Sequence, residues 1–323
     1  MAGVSLATIN RFISLHEIKH IEDSARKAKR YSIDSTRRII AEFLSNKVIS
    51  NKKIQVFYNF KGGTGKTTLC YQVASTLSYL GFKVLAIDCD PQAHLTSSLK
   101  FEEMNSPTMF DVMINNLPIQ EAIINVSPGL DMIPSNLSLT RTEIHLNQLA
   151  NREKKLVKIM DSIKDKYDFI LIDTNPTISV LNRNAMYASD RINVVCETQP
   201  YSLKGLEMLV NEIQEFAKAM DMEIEYGIIA NKYDSKTATA QEILGTLRVD
   251  YKNHVMSSVV RRCEEINISA KKKMPICALC NDKSIAFEDI LDLVRELIDI
   301  STFKKENVSN LTQKTPELLQ AIA

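Results

Sequence analysis

The sequence predicts an α/β protein with a mostly parallel, doubly wound sheet of about seven strands flanked by helices. After Lys53, short runs rich in β-branched residues alternate with longer helical patterns, which is the order of strands joined by crossover helices. Two of these runs, Phe-Ile-Leu-Ile and Ile-Asn-Val-Val-Cys, are apolar without alternation, as strands buried on both faces are. With 323 residues, of which 45% are apolar and 24% charged, the chain is long enough to bury a large core.

The predicted elements follow one another along the chain. The predicted strands are 54–59, 83–88, 131–134, 169–173, 192–197, 225–231 and 255–260, and the predicted helices are 66–80, 138–148, 152–165, 203–220, 237–251 and 285–300. The stretch 96–125 is expected to hold short helices around Pro107 and Pro118. A last short helix is expected after Pro316, with Thr315 as its cap.

A basic extension precedes the alternating region. Residues 1–53 contain eleven Lys and Arg against five Asp and Glu, whereas the whole chain has 40 against 39, so the remainder is mildly acidic. Helices are expected at 13–29 and 32–44, the second with Ile39, Ile40, Phe43 and Leu44 on one face. The predicted organisation is a basic helical N-terminal extension over 1–53, an α/β domain over 54–303 and a tail with a short helix over 304–323.

The strongest motif is the glycine-rich segment Phe60-Lys-Gly-Gly-Thr-Gly-Lys-Thr-Thr68, which lies between a predicted strand and a predicted helix. Glycines let the backbone wrap closely round phosphate oxygens, and N–H groups at the start of the helix bind the anion. Lys66 is expected to reach the β- and γ-phosphates, and the Thr67 hydroxyl to bind Mg²⁺. The segment predicts a P-loop NTPase that holds its nucleotide through Lys61, Gly62, Gly63, Thr64, Gly65, Lys66, Thr67 and Thr68.

A lysine at the position of Lys61 is the signature of the deviant Walker A ATPases, and residues 54–300 resemble the ParA family of DNA-partition ATPases. The general phosphate-loop pattern has a glycine where this chain has Phe60, so the strict spacing is not met. The resemblance implies that Lys61 crosses a sandwich dimer to touch the phosphates bound by the other subunit. ATP, Mg²⁺ and an ATP-dependent homodimer are therefore expected, because lysines from both sides compensate the buried phosphate charge.

Three aspartates follow buried strands. Asp88 and Asp90 end the run Val-Leu-Ala-Ile-Asp-Cys-Asp, and their spacing points both side chains the same way while the strand lasts. The resemblance makes Asp90 the residue that orients or activates the attacking water, and it places Asp88 near the metal and the loop lysines. The alternative is a strand-ending aspartate that caps the next turn. Lys61, Lys66, Asp88 and Asp90 are thus the predicted catalytic residues.

Asp173 ends the run Asp-Phe-Ile-Leu-Ile-Asp, at the edge where α/β sheets place their ligands, and is expected to hold Mg²⁺ together with Thr67. The family continues Asp-Thr-Pro-Pro, whereas this chain reads Asp-Thr-Asn-Pro with Asn175. This departure affects the expected geometry of the loop and leaves the metal role in place.

Asn231 is the residue expected to bind the base. The segment Ile-Ile-Ala-Asn-Lys-Tyr-Asp, which contains it, resembles the one whose Asn binds adenine in the family, and an Asn amide offers a base edge both a donor and an acceptor. The same Asn-Lys-x-Asp string also occurs in GTPases, where the aspartate selects guanine. Adenine is favoured by the resemblance, and guanine stays open on the residues alone.

A second basic cluster is expected to bind DNA. Five cations lie within thirteen residues, Arg261, Arg262, Lys271, Lys272 and Lys273, enough for a salt-sensitive patch that binds the phosphate backbone. Arg262 occupies the family's arginine position before a proline-containing turn. The resemblance implies non-specific binding of double-stranded DNA once the dimer forms; a solvated face is the alternative.

The N-terminal extension and the cysteines leave alternatives open. Plasmid ParA relatives of one subtype carry an operator-binding module before the ATPase, and the extension has Arg26, Lys27, Lys29, Arg30, Arg37 and Arg38 for phosphate contacts. It would bind the protein's own operator, stabilise the dimer or bind DNA non-specifically. Cys277 and Cys280 form a C-x-x-C that Mrp-like iron–sulfur carriers of the same superclass use at their dimer interface; packing cysteines on a strand and loop are the alternative.

The function expected from the resemblance is that of a ParA-type ATPase. It dimerises with ATP, binds DNA non-specifically and partitions plasmid or chromosome copies with a ParB-like partner that stimulates hydrolysis. The alternatives are an ATP-gated DNA-binding autorepressor and an Mrp-like carrier. No stretch of about 20 uncharged apolar residues occurs, and the C-terminal helix lacks the cations of an anionic-membrane anchor. A cytoplasmic, nucleoid-associated protein without a membrane partner is expected.

Overall fold

The computed structural model describes residues 5–20, 31–44, 47–49, 52–101, 106–280 and 283–304. Its strands are β1 (Lys47–Ile49), β2 (Ile54–Tyr58), β3 (Val84–Cys89), β4 (Ile124–Ser127), β5 (Leu130–Ile133), β6 (Phe169–Thr174), β7 (Arg191–Glu197), β8 (Tyr226–Tyr233), β9 (Val255–Arg261) and β10 (Thr302–Lys304). Its α-helices are α1 (Leu6–Leu15), α2 (Ile33–Leu44), α3 (Lys66–Tyr79), α4 (His94–Ser98), α5 (Met109–Met113), α6 (Thr142–Leu146), α7 (Lys155–Met160), α8 (Val180–Ala188), α9 (Pro200–Met220), α10 (Ala238–Asp250), α11 (Glu264–Lys272), α12 (Ile276–Leu279) and α13 (Ile285–Ser301).

One large sheet forms the centre of the molecule. Its order is β4-β5-β3-β6-β2-β7-β8-β9, and neighbouring strands are parallel except for the antiparallel pair β4–β5. The predicted fold class is confirmed. Strands β2, β3, β6 and β7 are buried along their whole length, because one apolar core lies between the sheet and helices including α8 and α9, and another between the sheet and helices including α3 and α13.

The stretch 96–125 differs from its prediction. It contains α5 and a 3₁₀ helix, Ile119–Ala122, as expected, but also the start of β4, which adds an eighth strand to the sheet. This strand lies at the edge of the sheet and is only partly buried. It therefore does not need the long apolar run by which the central strands were recognised. It pairs with β5 across a tight turn in which Gly129 has a φ of 76°.

In the described part of the chain, helices α4, α8, α11 and α12 lie where the sequence predicted none. Ser179 caps α8, and the Glu143 carboxylate accepts hydrogen bonds from the backbone N–H groups of Val180 and Leu181. The C-x-x-C segment is wrong as a strand and loop: Cys277 lies within α12 and Cys280 caps its end. The predicted helices 138–148 and 152–165 are each broken into 3₁₀ and short α segments.

The N-terminal extension contains α1, α2 and β1. β1 pairs antiparallel with β10, and α2 contacts α3. The helix predicted over 32–44 is confirmed, whereas the described part of the preceding segment has its helix at Leu6–Leu15. Four of the cations named above in the N-terminal extension, Arg26, Lys27, Lys29 and Arg30, lie outside the described residues. The predicted helix after Pro316 also lies outside them. Among the helices of the described ranges, none has the length and apolar character needed to cross a membrane.

A buried polar network joins the sheet to the end of α13. Gln55 donates to Ser301 Oγ (3.0 Å), and Asn193 donates to Gln55 Oε1 (2.9 Å). Arg191, which is 5% exposed, bonds to Asn193 and forms an ion pair with Glu225. A Cβ at Gly227 would overlap the Arg191 guanidinium, so a larger residue there would displace this buried arginine.

We expect Gly227→Ala to lower the free energy of unfolding by about 1–3 kcal/mol, because the new methyl group overpacks a buried site. The matched control is Gly245→Ala in the exposed part of α10, where a Cβ meets open space. This control should stabilise the protein by about 0.5–1 kcal/mol. Urea unfolding measures both variants, and equal effects of the two substitutions would contradict the prediction.

Candidate nucleotide-binding site

A cavity of about 830 Å³ opens at the carboxyl ends of the parallel strands, the edge where α/β sheets bind ligands. The loop after β2, the turn after β3 and the end of β8 all contribute side chains to it. Its lining includes Gly62, Gly63, Gly65, Lys66, Thr67, Thr68, Asp90, Asn231, Lys232, Arg261, Arg262 and Lys273. The structure therefore brings together most of the predicted phosphate-loop residues, one predicted catalytic aspartate and the residue predicted to bind the base.

The glycine-rich loop has the backbone shape that its sequence predicts. Gly63 and Gly65 have φ values of 77° and 98°, in the left-handed region that favours glycine. Helix α3 begins at Lys66, with Gly65 as its N-cap. Because glycine has no side chain to cap the helix, the backbone N–H groups in the first turn of α3 are left to bind an anionic ligand.

The end of β8 holds the loop in place. Asn231 Nδ2 donates to the Thr64 carbonyl at 2.7 Å, and Lys232 Nζ donates to the Gly63 carbonyl. A Cβ at Gly65 would overlap the Asn231 amide. Two consecutive side chains of one strand thus bind two consecutive carbonyls of the loop, a supporting role that the sequence did not reveal. Adenine binding by Asn231 stays a prediction.

Lys66 and Asp173 form the buried charged centre of the site. Lys66 is 6% exposed and Asp173 is fully buried. Burial lowers the pKa of Lys66, while the Asp173 and Asp90 charges oppose this effect. Burial and then the Asp88 charge raise the pKa of Asp173 well above its usual range, and the neighbouring Thr67 and Lys66 act against them.

Asp173 has the environment of a cation ligand. Among the described residues, neither of its carboxylate oxygens accepts a well-formed hydrogen bond, although buried polar atoms are nearly always paired. The described residues contain no group of three or more His, Cys, Asp or Glu side chains that could hold a metal by themselves. A cation at Asp173 would therefore draw its other ligands from the Thr67 hydroxyl, phosphate oxygens and water, as Mg²⁺ does in nucleotide sites.

Asp88 and Asp90 have different environments. Asp88 accepts hydrogen bonds from the Thr96 N–H (2.8 Å), the Thr96 hydroxyl (2.7 Å) and the Asp90 N–H (3.0 Å). Burial raises its pKa to about 6. Asp90 accepts from the Gln92 N–H at 2.9 Å, and Ser135 Oγ donates to the Asp90 carbonyl. Asp88 thus anchors the turn, and Asp90 lines the cavity. The roles of Thr96 and Ser135 had no signal in the sequence.

The signature lysine is bound by its own chain. Lys61 Nζ donates to Glu197 Oε2 at 3.0 Å, and Lys232 Nζ donates to Glu197 Oε1 at 2.8 Å. Glu197 ends β7 and its side chain is 8% exposed. Sequence reasoning missed Glu197, although a carboxylate at the end of an apolar strand signals a cationic partner because an unpaired buried charge is costly.

Comparisons with known proteins agree with this geometry. A family model described as an AAA domain (AAA_31) matches residues 52–226. The cell division protein PomZ of Myxococcus xanthus (strain DK1622) is 32% identical over 225 residues, which cover 69% of this chain and 70% of PomZ. The chromosome partitioning protein ParA of Caulobacter vibrioides (strain NA1000 / CB15N) is 29% identical over 251 residues, covering 76% of this chain and 94% of that protein.

The chain belongs to the ParA family of partition ATPases.

Solved structures show the same fold. A plasmid partition protein from Borrelia burgdorferi B31 bound to AMPPNP superposes with a TM-score of 0.67 at 22% identity, covering 77% of this chain and 99% of that one. The Borrelia burgdorferi protein thus shares the fold of this chain along almost its whole length.

Asn175 departs from the usual ParA-family loop and replaces a proline by hydrogen bonds. Asn182 Nδ2 donates to Asn175 Oδ1 (2.9 Å), to the Asn175 carbonyl (3.0 Å) and to the Thr177 carbonyl (2.6 Å). The next residue, Pro176, lies within contact distance of a Cβ placed at Gly62. The loop after β6 therefore remains fixed next to the phosphate loop despite the substitution.

The five cations predicted to bind DNA are not one free patch. Arg261 forms ion pairs with Glu288 and Asp289, and its backbone N–H also donates to Asp289. Arg261, Arg262 and Lys273 line the nucleotide cavity. Lys271 and Lys272 are exposed in the last turn of α11. DNA binding by these residues stays a prediction, and the geometry favours Lys271 and Lys272 for it.

The two cysteines of the C-x-x-C have different neighbours. Cys277 lies against α3, where it contacts Thr76, and burial raises its pKa to about 11. Cys280 lies close enough to Cys263 to affect its pKa. Both thiols are free. An iron–sulfur role for this pair gains no support from these surroundings.

We expect Asn231→Ala to weaken ATP binding roughly fivefold to thirtyfold, because the loop loses a hydrogen bond worth about 1–2 kcal/mol. Titration with a fluorescent ATP analogue measures this change. The control is Asn125→Ala at the sheet edge, which also removes a hydrogen-bonded amide and should leave the affinity unchanged. Wild-type affinity in the Asn231 variant would contradict the supporting role.

Proposed function

We propose that this protein is an ATP-driven switch for DNA partition. Two ATP-bound copies form a sandwich dimer, the dimer binds DNA without sequence preference, and a ParB-like partner stimulates the hydrolysis that releases it. The cycle moves plasmid or chromosome copies apart, in the cytoplasm and on the nucleoid. The observation that carries this proposal is Asp173, which is fully buried beside Lys66 and a glycine-rich loop and accepts no well-formed hydrogen bond from the described residues.

ATP and Mg²⁺ fit the residues of the site. The loop and the first turn of α3 supply N–H groups for phosphates, and Lys66 supplies a buried positive charge. Thr67 and Asp173 would hold Mg²⁺, which neutralises phosphate charge when bound. The similar Borrelia burgdorferi protein has AMPPNP bound, which supports an adenine nucleotide here over guanine.

Hydrolysis requires the chain to position a water and to stabilise charge on the phosphates. Asp90 is 7% exposed and lines the cavity, so its carboxylate would accept a proton from the attacking water. Asp88 keeps Asp90 in place through the backbone hydrogen bond between them. Lys66 would stabilise the charge on the transferred phosphoryl group, and Lys61 from the second subunit would add to it.

DNA binding follows from pairing two copies of one basic surface. Lys271 and Lys272 are exposed at the end of a helix whose other residues reach the nucleotide cavity, among them Ile266, Asn267 and Ala270. A change of nucleotide therefore acts on the helix that carries these lysines. One copy offers few phosphate contacts, and a dimer doubles them, so affinity rises steeply on dimerisation. Through residues 1–53 the protein would contact DNA a second time, its own operator included.

We expect Asp90→Ala to keep ATP-dependent dimerisation and DNA binding while hydrolysis falls by about 100-fold or more, the usual loss of a positioned base. Phosphate release, light scattering and DNA anisotropy on one preparation measure the three properties. Lys66→Ala is the companion variant and should lose nucleotide binding and with it all three properties. An Asp90→Ala protein that hydrolyses ATP at the wild-type rate would sink the assignment.

We expect the double variant Lys271→Ala/Lys272→Ala to bind DNA more weakly in ATP and with less dependence on salt. Because a dimer would lose up to four phosphate contacts, the slope of log K against log salt should fall by about 2 to 4. The control is Lys218→Ala/Lys252→Ala, which removes two exposed lysines near the amino ends of β8 and β9, away from the cavity at the carboxyl ends. Equal slopes in the two double variants would place the DNA surface elsewhere.

A further inference from the structure

Glu197 is the common partner of two lysines next to the phosphate loop. Lys61 reaches it at 3.0 Å and Lys232 at 2.8 Å. Lys232 also donates to the Gly63 carbonyl. We call Lys61, Glu197 and Lys232 the Glu197 clamp. It connects the ends of β7 and β8 to the loop that receives the nucleotide.

The clamp is a built arrangement and not a chance surface contact. The Glu197 side chain is 8% exposed, so an unpaired carboxylate would be strongly disfavoured there. Burial alone would raise the pKa of Glu197, but hydrogen bonds from Lys232 and Lys61 outweigh it, and the pKa lies below its usual value. Lys232 has a φ of 54°, a left-handed conformation that lysine seldom adopts. In this conformation its side chain donates to Glu197.

The two lysines are not equally committed to Glu197. Lys61 is 48% exposed and bonds to Glu197 from the solvent side, whereas Lys232 is also held by the loop carbonyl. When Lys61 leaves, Lys232 still neutralises the buried carboxylate. Release of Lys61 is therefore much less costly than breaking an isolated buried ion pair, in which one charge is left uncompensated.

While Lys61 is bound to Glu197, its ammonium group is occupied within its own chain. With its ammonium 3.0 Å from this carboxylate on its own chain, Lys61 would have to loosen this bond to extend to phosphates held by a second copy. Intrachain and interchain contacts of Lys61 therefore compete, and the strength of the first subtracts from the second.

We infer that Glu197 is a positioning residue that holds Lys61 on its own chain and so sets the ATP concentration at which the protein dimerises. This inference rests on the proposed function, in which Lys61 acts across the dimer. Removing the negative charge of Glu197 frees Lys61 and favours the dimer.

The test measures dimerisation of the full-length wild type and of Glu197→Gln by sedimentation velocity, with Mg²⁺ and saturating AMPPNP to prevent turnover. Glutamine keeps the shape and removes the charge, so the dimer Kd should fall by about threefold to tenfold. Glu225→Gln is the matched control, because Glu225 also pairs with two cations, Lys52 and Arg191, near the opposite end of β8. Its dimer Kd should equal that of the wild type.

A second pair of proteins shows whether the effect passes through Lys61. In the Lys61→Ala background, Glu197→Gln should leave self-association unchanged, because the competing lysine is gone. Equal tightening with and without Lys61 would overturn the inference. If Glu197→Gln fails to fold, Glu197→Asp replaces it; the shorter side chain loosens the contact with Lys61 and should also tighten the dimer.

The outcomes separate this inference from the proposed function. If the wild type dimerises with AMPPNP and Glu197→Gln dimerises equally or more weakly, the inference is wrong and the proposed function stands. If the wild type remains monomeric at every protein concentration, the proposed dimer is wrong and the inference falls with it.

Discussion

The structure depends on the burial of three charged groups, Lys66, Asp88 and Asp173, at one edge of the sheet. The register places Asp88 directly beside Asp173 on neighbouring strands, so two like charges share a site without solvent. Asp88 receives three hydrogen bonds from its own turn, whereas Asp173 accepts no well-formed one from the described residues. Asp173 is left with Lys66 as its counter-charge and with two oxygens for a cation, and this imbalance is what a nucleotide bound with magnesium would remove.

The same edge collects its other parts because parallel strands all end there. The loop after β2 supplies the backbone groups, the turn after β3 supplies Asp90, and the ends of β7 and β8 supply Glu197, Asn231 and Lys232. Three of the supporting contacts join residues more than 100 positions apart: Asn231 with Thr64, Lys232 with Gly63 and Lys61 with Glu197. The site is therefore only as ordered as the sheet that brings these segments together.

Much of the fold and of the site follows from the sequence because local chemistry determines it. Glycines in the loop, an apolar run that ends in Asp173 and the helical period of α13 are readable one segment at a time. Glu197 and Ser135 were missed because their roles exist only after separate segments meet. Thr96 was missed because its contact with Asp88 depends on the shape of the turn after β3. The charge pattern was misleading for Arg261 in a similar way. The sequence indicated a cation available to DNA, whereas the structure pairs Arg261 with the Asp289 carboxylate of helix α13. Strand β4 was missed because an edge strand of four residues lacks the buried run of the central strands.

The switch itself is tested most directly by DNA binding of the whole protein with ATP, with ADP and without nucleotide, each across a salt series. We expect the protein to bind DNA with ATP and not in the other two nucleotide states. Binding should be cooperative in protein concentration, because two copies combine, and it should weaken steeply as the salt concentration rises. Equal binding in the three nucleotide states would contradict the account, because the buried charges at Asp173 and Lys66 would then have no influence on the DNA surface.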